Sequence, residues 1–307
     1  MTMRALAVAG NVNVDLIMGP IAPWPVPGSE VLSSHDDLRP GGAAGNTALA
    51  WAALGVPFII ASNIGDDVLG RWVQQSFSPA SNGWAVTPLP TTISVGVTHP
   101  GDERTFFTTA GHLPHLAWPA VKGQLHGLEG GLLLLCGSFL TGPLTAEYTA
   151  LFNWAKAHRV DVALDPGWPP QGWTGVICAQ ARCWLAHTKH LLVNEIEAIN
   201  LANAANIDAA LPILLAQMPE GAVVVVKAGS QGAFAMSAAG VVHVPAPTVP
   251  VIDTIGAGDI FNAGYLLAIA RDSAIGAAVS AGVQLASIAI STSPRVYQTT
   301  EILAGVA

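Results

Sequence analysis

Asp253-Thr254-Ile255-Gly256-Ala257-Gly258-Asp259, followed by the mostly apolar run Ile260-Phe261-Asn262-Ala263-Gly264, puts nearly bare backbone at the start of a predicted helix. Gly256, Ala257 and Gly258 carry almost no side chain, so successive N–H groups at a helix N-terminus form a positive concavity suited to phosphate oxygens. A carboxylate beside a phosphate is repelled unless it accepts a proton from the group attacking that phosphate. Asp259 is therefore a candidate general base. Its bland alternative is an acidic residue favoured in a first helical turn by the helix dipole. A second glycine-led stretch, Pro40-Gly41-Gly42-Ala43-Ala44-Gly45-Asn46-Thr47-Ala48, also precedes a helix. Gly41 and Gly42 let backbone N–H groups approach a ligand, and the Asn46 amide can grip hydroxyls. Alone, this stretch reads more simply as a tight turn with Asn46 near a helix N-terminus. Neither G-x-x-x-x-G-K-[ST] nor a strand-linked G-x-G-x-x-G occurs, and there is no G-x-S-x-G elbow. The usual bases for a P-loop NTPase, a dinucleotide-dependent dehydrogenase and an α/β hydrolase are thus missing.

The elements that must position these loops alternate in type. Leu6–Ala9, Phe58–Ala61, Leu132–Cys136, Asp161–Leu164, His190–Val193 and Val223–Val226 read as buried strands. Asn46–Leu54, Thr145–His158, Ile196–Ala204 and Gly258–Ala270 read as helices between them. This pattern predicts an α/β fold with a doubly wound, mostly parallel sheet flanked by helices. Two stretches break the rhythm: about 12–38, rich in Pro and Gly, and about 91–110, where Ile93, Val95 and Val97 alternate with Ser94, Gly96 and Thr98. Period-two alternation gives strands with one wet face, so these stretches predict a small antiparallel β lid. The expected division is a core of 1–11, 39–90 and 111–307 carrying a discontinuous lid of 12–38 and 91–110.

Composition narrows the function classes. The 307 residues are 51% hydrophobic and 10% charged, which excludes a disordered chain. A net charge of -8, with 12 Lys+Arg scattered singly, argues against a nucleic-acid partner. The uncharged run Ser273–Pro294 is interrupted by Ser280, Gln284, Ser287, Ser291, Thr292 and Ser293, so it predicts a buried helix and no membrane partner. Met1–Gly10 shows no cleavage pattern, and the expected location is the cytoplasm. Cys136, Cys178 and Cys183 form no disulfide or metal framework and read as reduced core thiols. His112 and His115 read as ordinary polar ring contacts. Trp168 and Trp173 follow a strand's C-terminal end, where an aromatic ring either stacks on a ligand or packs on the surface.

Taken together, the two glycine loops resemble the two signatures of the ribokinase/PfkB family of carbohydrate kinases. The first runs from Gly41-Gly42 through Asn46, Ala48 and Gly55 to Gly65; the second runs from Asp253 through Asp259 to Ala263-Gly264. The likeness extends from Gly10 to about Ser291. It implies a ribokinase-like fold and transfer of the γ-phosphoryl group of ATP to a carbohydrate hydroxyl, with Mg2+ as cofactor, Asp259 as base and Gly256–Gly258 as anion hole. It implies acceptor contacts from Asn13 and Asp15 in Gly10-Asn11-Val12-Asn13-Val14-Asp15, from Gly41, Gly42 and Asn46, and from Arg104. On the nucleotide side it implies Asn194, Lys227, Gly229, Gly232 and Thr254. Asn194 and Glu197, in an N-x-x-E motif, would organise Mg2+ and its waters. Read without the resemblance, that pair is a capping box, Lys227-Ala228-Gly229-Ser230-Gln231-Gly232 is a hairpin turn, Asp15 suits a strand-end turn, and Arg104 suits a solvated strand position.

Three departures from ribokinases stand out: Ala43 replaces a Lys after the paired glycines, no acidic residue falls within Gly137–Gly142, and Ser293-Pro294-Arg295 replaces a small glycine-containing loop. They argue against ribose as acceptor and against a monovalent cation (K+) as activator. Two other readings stay open. One is a nucleoside kinase that covers a base with lid aromatics such as Trp24 or Phe106; the other is a non-catalytic sugar- or nucleotide-binding regulator. The lid alternation is compatible with a homodimer through the lid.

Overall fold

Strands buried on both faces need continuous apolar runs, and the runs predicted as strands are those that pair in parallel. The computed structural model describes residues 3–100 and 104–297. The expected core's residues 1–2 and 298–307, and the expected lid's residues 101–103, lie outside the described residues. β1 (Leu6–Ala9) leads into β2 (Asn13–Met18) and β3 (Asp36–Gly41), and α1 (Ala43–Ala53) returns to β4 (Ile59–Ala61). After β5 (Asn63–Gly65), α2 (Val68–Ser76) and β6 (Ala85–Thr87) come β7 (Ile93–Thr98) and β8 (Arg104–Thr108). The chain then alternates α3 (Trp118–Lys122), β9 (Leu132–Cys136), α4 (Gly142–Ala146), α5 (Tyr148–Ala157), β10 (Asp161–Asp165) and α6 (Gly175–Leu185). Next come β11 (His190–Asn194), α7 (Glu195–Ala202), α8 (Ile207–Leu215) and β12 (Val223–Lys227). β13 (Ala233–Ser237) and β14 (Gly240–Val244) precede α9 (Ala257–Ala270) and α10 (Ile275–Ile290).

Eight strands form the main sheet in the order β14-β13-β12-β11-β10-β9-β1-β4. Pairing is parallel from β12 to β4 and antiparallel across β12, β13 and β14. Alternation along each strand divides the core. Leu6, Val8, Leu132 and Leu134 face α1, α9 and α10, whereas Ala7, Leu133, Leu135 and Val224 face the helices from α3 to α8. α9 is apolar nearly all round because α1 packs on one side and α10 on another. No single helix among the described residues is long and apolar enough to cross a membrane.

A separate four-stranded sheet has the order β3-β2-β7-β8 and runs past the expected lid boundary at 38 to Gly41. Its outer pairs are antiparallel, as expected, but β2 and β7 pair in parallel. The cause is topological: β2 and β7 each open a separate excursion from the core, so both leave it in one direction. Buried His112 pins their bases. Its Nδ1 accepts the Thr92 N–H at 3.0 Å, and its Nε2 lies 3.0 Å from the Val12 carbonyl. Two other expectations need correction. The helix predicted over Thr145–His158 is broken at Glu147, whose carboxylate turns away to accept the Trp118 N–H at 3.0 Å. Cys136 and Cys178 are buried, but Cys183 is exposed on the outer side of α6.

Candidate active site

The sheet order itself collects the site. Asp165, Asn194 and Lys227 end three adjacent strands, β10, β11 and β12, at the carboxyl edge where open α/β sheets bind ligands. Lys227 donates to Asp165 at 2.7 Å and to Asn262 of α9 at 3.2 Å, and Asn262 donates to the same Asp165 oxygen at 2.7 Å. Burial opposes the Lys227 charge, but the Asp165 and Glu197 carboxylates more than offset it and raise its pKa. The ammonium lies directly beneath Gly258.

Gly256 caps α9 at φ 76°, a left-handed conformation that favours glycine. A Cβ there would press on the Asn46 amide. The first-turn N–H groups have no carbonyl one turn back within the helix. The Thr254 carbonyl takes that of Ala257 at 3.2 Å, so of the three expected donors Ala257 is already bonded. Partly buried Asp259 accepts a hydrogen bond from Asn46 Nδ2 at 2.9 Å, and its backbone carbonyl accepts one from Thr47 at 3.1 Å. Burial pushes the Asp259 carboxyl up to about 7, with help from the nearby Asp165 charge and against the pull of Asn46 and Lys227. A carboxyl poised there suits proton abstraction near neutral pH.

Two cavities adjoin at this point. The larger, about 990 Å³, is lined by Gly256, Ala257, Gly258 and Asp259, and beyond them by Lys227, Gly229, Gly232, Asn194 and Glu197. Trp168 also lines it, whereas Trp173 packs edge-on against Phe139. The smaller, about 720 Å³, is lined by Asn46, Arg39, Asp253 and Arg295. Arg104 and Thr254 line both, and the Asn46–Asp259 hydrogen bond spans from one to the other.

The other candidates are placed differently. Asn13, Asp15, Gly41 and Gly42 line neither cavity and are buried at the seam between the small sheet and the core. Asn13 donates to Asp15 at 2.7 Å, and burial lifts the Asp15 carboxyl to about 6 despite Arg39 opposite it on β3. Asn194 and Glu197 do form a capping box: Asn194 N–H donates to Glu197 Oε2 and Glu197 N–H to Asn194 Oδ1, both at 2.9 Å. Burial and the Asp165 charge push Glu197 upward. No three His, Cys, Asp or Glu among the described residues are placed to hold a metal ion by themselves. The Asp165 and Glu197 carboxylates lining the larger cavity nonetheless suit Mg2+, which keeps waters and is held largely by substrate phosphates.

Sequence reasoning missed Asp165, Asn262, Arg39 and the Asp253 cluster. Asp253 accepts from Arg39 at 2.8 Å and Arg295 at 2.6 Å, which hold its carboxyl below the usual range despite burial. The only signals were Asp165 at a strand's C-terminal end and Asp253 at the head of a glycine loop.

The sequence model of the pfkB family carbohydrate kinases matches residues 3–297. A fructokinase of Rhizobium leguminosarum bv. trifolii is 29% identical over 245 residues, covering 76% of this chain and 72% of the relative. A ribokinase of Bacillus subtilis (strain 168) is 26% identical over 299 residues, covering 94% of this chain and 93% of the relative. An E. coli protein assigned as a ribokinase II and solved with ATP and Mg2+ superposes with a TM-score of 0.80 at 19% identity, covering 94% of each chain. That last likeness is one of fold.

Proposed function

The chain belongs to the pfkB family of carbohydrate kinases, and from that premise we propose that it transfers the γ-phosphoryl group of ATP to a hydroxyl of a small carbohydrate. The carrying observation is the hydrogen bond from Asn46 to Asp259 at the junction of the two cavities. It supports this reading because a carboxyl with a pKa of about 7 stands between two cavities, one with room for a nucleotide and one with room for a small acceptor.

In this reading the acceptor hydroxyl donates its proton to Asp259 as its oxygen attacks the phosphoryl group. Asn46 holds the carboxylate oxygen in line, and Gly256 and Gly258 N–H groups, with the Lys227 charge beneath them, stabilise the negative charge that develops. Ala257 joins them once its bond to Thr254 yields. Bound Mg2+ supplies charge neutralisation on the nucleotide phosphates, near Glu197 and Asn194. Asn194, Gly229, Gly232 and Thr254 border the nucleotide. Asn13, Asp15, Gly41 and Gly42 meet the acceptor at the seam once the lid sheet moves, and Arg104, lining both cavities, faces the transferred group. Arg39, whose Nε and Nη2 are buried without a hydrogen-bond partner among the described residues, is a further donor for acceptor oxygens. The lid sheet, built on β2, β3, β7 and β8, excludes water that would otherwise hydrolyse ATP. Leu38 and Phe107, 50% and 52% exposed on its outer face, support a homodimer through the lid.

ADP release with Mg-ATP, measured across ketoses, aldoses, sugar acids and nucleosides, tests this function. Turnover with one carbohydrate class supports it; turnover with nucleosides alone replaces it with a nucleoside kinase. Silence with retained thermal shifts on adding ATP or sugars replaces it with a binding protein.

A further inference from the structure

Three oxygens converge on a single nitrogen at the head of the second glycine loop. Arg295 Nη2 lies 2.6 Å from Asp253 Oδ2, 2.8 Å from the Ile255 carbonyl and 3.4 Å from the Asp253 carbonyl. One carboxylate and two backbone carbonyls around one positive centre are oxygen donors of the kind that hold a hard cation. The loop is tied on its other side to the C-terminal end of α10, because the Ile290 carbonyl accepts the N–H groups of Ile252 and Asp253 at 2.8 and 3.2 Å. A fixed positive charge suits that end of a helix. The Arg295 side chain is 10% exposed, so this is a covered position rather than a surface pair.

In ribokinases a small glycine-containing loop stands here and often completes a monovalent-cation site; Ser293-Pro294-Arg295 replaces it, and these residues do not fit K+. Asp253 Oδ2 already carries two guanidinium nitrogens, from Arg295 and from Arg39 at 2.8 Å, and Asp253 Oδ1 accepts the Ile255 N–H at 2.8 Å. An added cation would find both carboxylate oxygens taken and two positive charges against them. We infer that Arg295 is a tethered cation: its guanidinium takes the place of a dissociable monovalent ion in bracing the loop that leads into Gly256–Asp259, so the protein works without K+. Arg39 extends the brace to the lid sheet, since it reaches Asp253 from β3. The activity arm of the test rests on the kinase reading; the thermal arm does not.

The first measurement is ADP release by the wild type in tetramethylammonium buffer, with K+ added at constant ionic strength. Rates within about twofold throughout are expected, and activation of about tenfold or more overturns the inference. The second uses Arg295→Ala and Arg295→Lys. Arg295→Ala should melt at lower temperature and lose about tenfold or more in rate, with guanidinium ion or K+ restoring part of both. Arg295→Lys should remain indifferent to K+. Arg295→Ala with unchanged melting and rate overturns the tethered-cation role. If Arg295→Ala does not fold, the Arg295→Lys response to K+ and the wild-type titration decide. If no acceptor is turned over, the kinase reading falls, while wild-type melting against K+ still judges this one: a flat curve supports it and a marked rise overturns it.

Discussion

Among the described helices two begin on a positive-φ glycine without a side-chain cap, α1 at Gly42 (φ 82°) and α9 at Gly256 (φ 76°), yet only at α9 does that glycine line a cavity. At α1 the protein fills its own helix end. The Asn11 carbonyl takes the Ala44 N–H at 3.1 Å, and a Cβ on Gly42 would meet that carbonyl and Asn13 Oδ1 at 2.5 Å. At α9 the corresponding turn borders a cavity of about 990 Å³. The same local device therefore gives a buried joint in one place and a candidate anion seat in the other, depending on what the fold leaves in front of it.

The largest effect expected is on the open end. Asp259→Asn should lower kcat by about 10²- to 10⁴-fold with little change in KM, as measured by ADP release. The same variant should melt at higher temperature than the wild type at pH 8. The folded-state pKa of about 7 lies above the ordinary carboxylate value, so the folded state binds more protons between the two and stability falls as pH rises through that window. An amide does not ionise, so the difference should shrink near pH 5. Next, Gly256→Ala and Gly42→Ala separate the two helix starts. Both incur strain on the order of 1–3 kcal/mol. Gly42→Ala should show the larger drop in melting temperature, because rigid backbone blocks it, and Gly256→Ala the larger drop in kcat, about 10²-fold from misplacement. The reverse ranking would break the comparison.

A smaller effect concerns pH. The wild-type rate should rise with pH through about 7 and level off once Asp259 is ionised. Asp165→Asn removes the neighbouring negative charge that raises this carboxyl, so the acid limb of the profile should move to lower pH. An unmoved limb would assign that titration to another group. Smallest is Thr47→Val, which loses the 3.1 Å bond to the Asp259 carbonyl. A destabilisation of about 0.5–1.5 kcal/mol, read by denaturant unfolding, is expected.

Much of this arrangement is legible in the chain before any coordinates. Doubly buried strands announce themselves as unbroken runs such as Leu132–Cys136, and glycine-led helix starts are visible as spacing. What escapes is partnership. Nothing near Asp165 in sequence says that its carboxylate will anchor Lys227, because that pairing depends on β10 and β12 flanking β11. Asn194 and Glu197 illustrate the converse. Their spacing is equally that of a helix cap and of an ion shell, and the capping box they form does not by itself separate the two roles. The parallel β2–β7 pair escaped because local alternation signals a strand but carries no information about its direction.

The Asn46–Asp259 contact joins residues 213 apart, which sets an order on biosynthesis. Chains emerge N-terminus first, so every described strand is complete in sequence by Val244, before the first turn of α9 exists to meet Asn46. During that interval the apolar flank of α1 has no α9 to cover it, and α9 and α10 are among the most apolar of the described helices. A nascent chain can thus hold nearly the whole scaffold while the candidate site is still missing.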